Sequence, residues 1–290
     1  MNYKTVLAPM IVEETARIVA DAALAVAGHA EGHVVGKHIR QLQYYSPAIV
    51  DGPGAALSMG SVNEAIEAAA AALAEALHNV FDEACDAAGA HQVPSEEASR
   101  KAGLTASWSD SRGIFPASVS RAARVADLAV AALPGKRCSD RELDLVESLL
   151  MSSGKPVLLI PHSGLPALPQ RILVGWDGSR AAARALDAAL PLLRTAEDVR
   201  LVTIKHVDTG TPSAGDAANY LRLHDIDTTT DNVDRAKGGV AKQLLSEADS
   251  AQSDLLVLGG YSHSRFEEAV LGGVTRYVLD HADRAVLMAH

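Results

Sequence analysis

Short apolar runs alternate with longer amphipathic segments along the chain of 290 residues. Short apolar runs bounded by glycine, proline or polar residues are typical of buried strands, and apolar positions three or four apart are typical of helices. Strands that alternate with helices predict a parallel sheet joined by right-handed crossovers. The pattern predicts strands at 5–9, 32–39, 104–108, 126–133, 157–160, 172–176, 199–207, 227–233, 255–258 and 285–289.

The amphipathic segments predict helices at 12–27, 61–88, 117–123, 140–152, 179–193, 214–223 and 240–248, and a last one with Gly272 and Gly273 in its first turns. Ser61 and Glu64 have the spacing of a capping box, in which each side chain accepts from the other residue's backbone N–H, so the longest helix is expected to begin there. Residues 41–60 contain two prolines and three glycines, which predicts an irregular segment.

The two parts of the chain repeat each other. Residues 126–132 (ADLAVAA) align with 253–259 (SDLLVLG), 148–159 align with 277–288, and 4–7 align with 171–174. The first part is longer by about 40 residues, which is explained most simply by the alanine-rich helix and the broken segment before it. We therefore expect a tandem duplication with two domains, residues 1–163 (the first half) and residues 169–290 (the second half), separated by a proline-rich linker.

Residues 254–279 have the clearest chemical pattern. The apolar run 255–258 predicts a strand, Gly259-Gly260 predicts a turn, and the valines at 270, 274 and 278 share one face of a helix. An arrangement of strand, glycine turn and helix directs free backbone N–H groups at an anion.

This stretch resembles the end of a universal stress protein domain, whose ATP-binding members carry Gly-x2-Gly-x9-Gly-(Ser/Thr). The pattern falls on Gly259, Ser262, Gly272 and Gly273, so serine replaces the second glycine and glycine replaces the hydroxyl residue. The resemblance covers nearly the whole chain as two tandem α/β domains of the adenine-nucleotide alpha-hydrolase-like type. It implies that each is a doubly wound, five-stranded parallel sheet with helices on both faces, and that the last strands, 157–160 and 285–289, pair about a pseudo-two-fold.

The resemblance also implies roles for single residues of the second half. Asp177 matches the aspartate that reaches the nucleoside, Val207 matches the residue whose backbone meets the base, and the glycine loop would hold the phosphates of ATP or AMP. Two simpler interpretations stay open. Asp177 or Ser179 caps the following helix, or Gly259 and Gly260 only turn the chain. With two positions of the pattern altered, weak nucleotide binding is expected.

The first half lacks these residues. Ile11 stands where Asp177 does, and Pro134-Gly135-Lys136-Arg137 replaces the glycine loop. The first half is therefore expected to be structural. A small anion held by Lys136 and Arg137 is the alternative.

Composition excludes several classes of function. The formal net charge is −10 and no basic run occurs, so nucleic acid is not an expected partner. No apolar run reaches the length of a membrane span, and two cysteines in a chain without a signal peptide predict a cytoplasmic protein with reduced thiols. Neither a Cys-x2-Cys pair nor a Gly-x-Ser-x-Gly elbow occurs, so neither a metal site nor nucleophilic catalysis is predicted.

The sequence thus predicts a non-catalytic universal stress protein whose second half keeps a degraded site for a nucleotide or a small anion. The alternative is a functional ATP- or AMP-binding regulatory protein or slow ATPase. An electron-transfer or pyrophosphatase-type enzyme on a similar sheet would need glycine signatures that the chain lacks. Whether the chain forms a homodimer stays open.

Overall fold

All strands of the described residues belong to one sheet. The computed structural model describes residues 2–41, 55–136, 138–165, 167–204, 210–260 and 272–290, with the backbone alone for 55–62. The strands are β1 (Thr5–Pro9), β2 (His33–Gln41), β3 (His91–Gln92), β4 (Thr105–Gly113), β5 (Leu128–Ala132), β6 (Val157–Ile160), β7 (Arg171–Gly175), β8 (Asp198–Ile204), β9 (Thr229–Val233), β10 (Leu255–Gly259) and β11 (Ala285–Ala289). Their order is β3-β4-β2-β1-β5-β6-β11-β10-β7-β8-β9.

Helices cover both faces of the sheet. They are α1 (Glu13–His29), α2 (Ala55–Ala88), α3 (Ala117–Ala123), α4 (Asp140–Ser152), α5 (Arg180–Leu193), α6 (Ala214–Arg222), α7 (Val240–Ser250) and α8 (Gly273–His281), with a 3-10 helix at Ser95–Arg100. One core contains buried residues of α1, α2, α5 and α6, and the other contains those of α3, α4, α7 and α8. Each core therefore continues from the first half into the second along one face of the sheet.

The two halves meet at their last strands. β6 and β11 pair antiparallel, with Leu158 opposite Leu287, whereas every other strand pair is parallel. Both strands are buried along their whole length, because helices cover the sheet on both sides of the junction. This pairing confirms that the two last strands associate within one chain.

Among the described residues, two further hydrogen bonds cross the junction between the halves. The buried hydroxyl of Tyr3 donates to the carbonyl of Ala188 in α5 at 2.5 Å. The backbone N–H of Gly135 donates to the carbonyl of Leu279 in α8 at 3.0 Å. The loop that replaces the glycine loop in the first half thus contacts the second half.

The predicted fold class is confirmed, with differences in single elements. The first half has a sixth strand, the two-residue β3, which is too short to leave a hydrophobic pattern. In α4, Leu145 is buried although it was not predicted to be, and Leu143, which was predicted to face inward, is only half-buried. In the described residues β8 ends at Ile204, and residues 205–207 of the predicted strand lie outside the description.

The capping box predicted at Ser61 is wrong. The helix α2 begins at Ala55, so Ser61 and Glu64 lie inside it. A cap requires the chain to leave the helix before the serine, whereas alanine, leucine and methionine at residues 55–59 favour helical backbone. Helical structure at residues 55–60 also replaces part of the expected irregular segment. The rest of that segment, 42–54, lies outside the described residues.

Two other serines do form capping boxes. Ser139 caps α4 together with Glu142, and Ser213 caps α6 together with Asp216. In both, the serine hydroxyl accepts from the backbone N–H three residues later, and the carboxylate accepts from the serine N–H.

Candidate functional site

A cavity of about 820 Å³ lies at the carboxyl ends of the second-half strands. In the strand order β11-β10-β7-β8-β9, β8 and β9 follow on one side of β7, whereas β10 and β11 follow on its other side, so the strand order reverses between β7 and β10. Such a switch point leaves a crevice beyond the strand ends, where ligands of doubly wound sheets bind. The wall combines strand ends with the first turns of helices and includes Gly175, Trp176, Val202, Thr203, Ile204, Asn232, Leu258, Val240, Leu244 and Tyr277.

Four of the six predicted site residues lie in this wall: Asp177, Gly259, Gly272 and Gly273. They come from three separate parts of the second half, and the fold brings them to one cavity. The remaining two, Val207 and Ser262, lie outside the described residues and stay predictions.

Asp177 sits in a tight turn between β7 and α5. Its Oδ1 accepts a hydrogen bond from the N–H of Ser179 at 2.9 Å. The hydroxyl of Ser179 in turn accepts from the N–H of Ala182 at 3.1 Å, so Ser179 rather than Asp177 caps the helix. Gly178 between them has φ +72°, and a Cβ there would lie 2.6 Å from the Cβ of Thr211. The turn therefore needs glycine, and it holds the exposed Asp177 carboxylate at the cavity wall.

Trp176 precedes this turn and closes the floor of the cavity. Its side chain is buried, and its Nε1–H donates to the carbonyl of Pro212 at 3.0 Å. The indole thereby links the end of β7 to the start of α6.

Gly259 is required by packing. A Cβ added to it would lie 2.6 Å from the carbonyl carbon of Ala181 and 3.0 Å from the Cβ of Ala181. The first turn of α5 therefore reaches its position only because residue 259 has no side chain. This contact gives Gly259 a structural reason that is independent of any ligand.

At Gly272 and Gly273, no packing contact requires glycine. A Cβ at either position would meet no heavy atom within 4 Å. Gly272 is the N-cap of α8 and supplies no side-chain cap, and Gly239 stands in the same position before α7. By contrast, Ser179 and Ser213 cap α5 and α6. Of the second-half helices, the two without a side-chain cap, α7 and α8, begin in the cavity wall, where the backbone N–H groups of a helix start attract anions.

Sequence reasoning missed several wall residues, above all Arg235 and the pair Gly238-Gly239. The glycine pair could have been found, because it precedes an amphipathic helix as Gly272-Gly273 does. Arg235 could not, because it follows a polar edge strand whose end has no recognisable motif. Among the described wall residues Arg235 is the one lysine or arginine.

The corresponding residues of the first half are buried. Ile11, at the position of Asp177, is buried with 6% exposure, and His38 in β2 is also buried. The Nδ1–H of His38 donates to the carbonyl of Met10 at 2.7 Å. Burial lowers the pKa of His38, so the imidazole is held neutral.

Metal ligands do not converge in the described parts of the chain, where no three His, Cys, Asp or Glu side chains group together. His29 and His33 have the spacing His-x3-His, but α1 ends at the first and β2 begins at the second. His33 instead contacts the hydroxyls of Thr105 and Ser107, each at 2.9 Å. Within the described ranges no helix is both long and apolar enough to span a bilayer.

Comparison with known proteins identifies a relationship for the second half. Residues 169–290 match the sequence model of the Universal stress protein family. No curated protein matches the chain in sequence.

Solved structures resemble the whole chain in fold. A universal stress protein from Archaeoglobus fulgidus DSM 4304 has a TM-score of 0.65 at 13% identity, covering 100% of this chain and 99% of its own. A putative universal stress protein from Pseudomonas aeruginosa UCBPP-PA14 has a TM-score of 0.56 at 12% identity, covering 99% and 93%. A functionally unknown protein from Pseudomonas aeruginosa PAO1 has a TM-score of 0.57 at 12% identity, covering 99% and 92%. At these identities the likeness concerns the fold.

Proposed function

Because residues 169–290 match the sequence model of the Universal stress protein family, we propose that this part of the chain is a domain that binds one nucleotide in its cavity and that the chain acts without catalysis. The observation that supports the proposal is the convergence of Asp177, Gly259, Gly272 and Gly273 on one cavity at the switch point of the sheet. The division into domains 1–163 and 169–290 is part of the proposal.

The phosphate end of the ligand is proposed to lie at Gly272 and Gly273. With no Cβ at either residue, a phosphate oxygen can approach the backbone N–H groups at the start of α8. The Asp177 carboxylate is proposed to accept a hydrogen bond from a ribose hydroxyl. Apolar side chains of the wall, including Val202, Leu244 and Leu258, suit the flat faces of a base.

The affinity is expected to be modest. Gly273 offers no hydroxyl to the phosphate, and a missing hydrogen-bond donor typically costs about 1–3 kcal/mol. We expect a Kd in the micromolar range or weaker, corresponding to about −8 kcal/mol or less favourable.

The first half is proposed to be structural, since Ile11, which stands at the position of the exposed Asp177, is apolar and buried. A stoichiometry of one nucleotide per chain follows. Two equivalent sites per chain would contradict this assignment.

Titration calorimetry of the full chain with AMP and ATP tests the proposal. Asp177→Ala should weaken binding of both nucleotides by about tenfold, because a hydrogen bond to a charged group contributes about 1.5–3 kcal/mol. Asp198→Ala is the matched control, since Asp198 is exposed at the opposite, amino end of β8 and should leave binding unchanged. Absence of binding by either nucleotide at millimolar concentration would overturn the proposal, and ATP turnover that Asp177→Ala abolishes would overturn its non-catalytic part.

A gain-of-function variant tests the cause of the weak affinity. Ser262→Gly with Gly273→Ser restores the glycine pattern, and a serine Cβ at residue 273 would have open space. The new hydroxyl and the freed turn together should improve ATP binding by roughly tenfold, or about 2 kcal/mol. A folded double variant that binds no better would show that the site is weak for another reason.

A further inference from the structure

The cavity has a cation at the end away from the glycines. Gly272 and Gly273 start α8 on the β10 side, whereas Arg235 follows β9 at the edge of the sheet. From β10 the order continues through β7 and β8 to β9, so three strand spacings, roughly 14 Å, separate the two ends. A nucleotide held by its phosphate at the glycines would therefore present its base to Arg235.

The loop that carries Arg235 is held in place by α7. The side-chain oxygen of Gln243 accepts from the N–H of Ala236 at 2.9 Å, and its side-chain nitrogen donates to the carbonyl of Asp234 at 2.8 Å. These two bonds fix the backbone on both sides of Arg235. Gln243 thus holds the loop that carries Arg235.

No acidic side chain among the described residues pairs with Arg235. The neighbouring arginine on β8, Arg200, is already bonded to Asp231 on β9. The donors of Arg235 are therefore available to a ligand at the rim of the cavity, where the side chain is exposed. Asn232 shares this part of the wall, and an asparagine amide pairs best with N6 and N7 of adenine, so a preference for guanine would have to come from Arg235.

We infer that Arg235 selects the base of the nucleotide, and that it favours a purine with an oxygen at position 6, such as guanine, over adenine. The inference rests on the proposed nucleotide site. The parallel N–H groups of a guanidinium match the two acceptors O6 and N7 of guanine. Adenine presents an amino group in place of O6, which places donor against donor.

The test compares monophosphates that differ only in the base. Titration of the full chain with GMP, IMP and AMP keeps the ribose and the single phosphate constant. IMP retains O6 and N7 but lacks the 2-amino group of guanine. We expect GMP and IMP to bind with similar affinity and both to bind roughly five- to hundredfold more tightly than AMP.

Two substitutions separate base recognition from simple charge attraction. Arg235→Gln removes the charge and the paired donors, so it should abolish the preference for GMP, mainly by weakening GMP. Because a glutamine amide can pair with N6 and N7 of adenine, the ratio of GMP to AMP affinity should fall to one or below. Arg235→Lys keeps the charge but loses the paired donors, so it should also lose most of the preference. Arg222→Gln is the control, because Arg222 bonds Asn219 on the exposed side of α6 at 2.7 Å, outside the cavity wall, and its variant should bind as the parent does.

Each other outcome has a distinct meaning. Equal binding of GMP and AMP by the parent chain overturns the inference and leaves the nucleotide site intact. An equal loss of GMP and AMP affinity in Arg235→Gln, with rescue by Arg235→Lys, also overturns it, because Arg235 would then attract a phosphate. If none of the three monophosphates binds, the proposed function itself fails.

Discussion

Gly259 and Gly273 belong to one sequence motif, yet replacing each with alanine should have opposite effects on stability. In Gly259→Ala, the new Cβ would lie 2.6 Å from the carbonyl carbon of Ala181. That atom belongs to the backbone of α5 and has no rotamer by which to move away. Overpacking of this kind costs about 1–3 kcal/mol. The expected fall in Tm is roughly 2–10 °C for a chain of this size.

In Gly273→Ala, the new Cβ would meet nothing within 4 Å, and residue 273 already has helical backbone. Alanine loses less backbone entropy than glycine on folding, so this variant should be unchanged or more stable by about 0.5–1 kcal/mol. The two variants should therefore differ by about 1–4 kcal/mol in the free energy of unfolding.

Urea unfolding followed by far-UV circular dichroism measures this difference directly. Equal m-values for the parent and both variants would show that the same surface unfolds in each. If Gly259→Ala were as stable as the parent, α5 would not depend on the missing side chain. Equal destabilisation by both substitutions would refute the separation of a packing glycine from a ligand-facing one.

Three further predictions concern stability. Tyr3→Phe should lower the free energy of unfolding by about 0.5–1.5 kcal/mol, measured by urea titration, because it removes the hydrogen bond from the buried Tyr3 hydroxyl to the Ala188 carbonyl. Ser139→Ala should lower the free energy of unfolding by about 1 kcal/mol, because it removes the α4 cap. Ser61→Ala, inside α2, should leave this free energy unchanged or raise it in the same assay. The free energy of unfolding should decrease as pH falls below about 6.5. Burial lowers the pKa values of His33 and His38, so the unfolded chain takes up protons before the folded one does. His38→Gln should flatten this dependence in urea midpoints measured between about pH 7 and pH 5.

Each of these predictions has a clear contrary result. Parent-like stability of Tyr3→Phe would mean that water or another group replaces the donor. A larger loss from Ser61→Ala than from Ser139→Ala would place the start of α2 at residue 61 after all. An unchanged pH dependence in His38→Gln would assign the effect to other groups.

Most of the fold could be predicted from the repeated strand pattern. Buried strands such as Val157–Ile160 and Ala285–Ala289 are continuous apolar runs between polar, glycine or proline residues. The predicted start of α2 is wrong because the capping-box pattern at Ser61 competes with the helix propensity of the residues before it. The strand β3 was missed because two residues have no periodicity.

Part of the candidate site was predictable and part depends on tertiary contacts. The positions of Asp177, Gly259, Gly272 and Gly273 in one wall follow from strand ends that meet at the same edge of a parallel sheet. The reason for Gly259 could not be read from the sequence, since it depends on how closely α5 approaches β10. Arg235 depends equally on the fold, because its loop is held by Gln243 eight residues later.

The antiparallel contact between β6 and β11 changes how the assembly responds to dilution. Two separate chains that paired through such strands would fall apart when the chains become scarce, by mass action. Here a short connection between residues 160 and 171 joins the two partners, so the effective concentration of one half around the other is set by that tether. The paired sheet should therefore persist at a few copies per cell, and its midpoint of unfolding should not change with protein concentration.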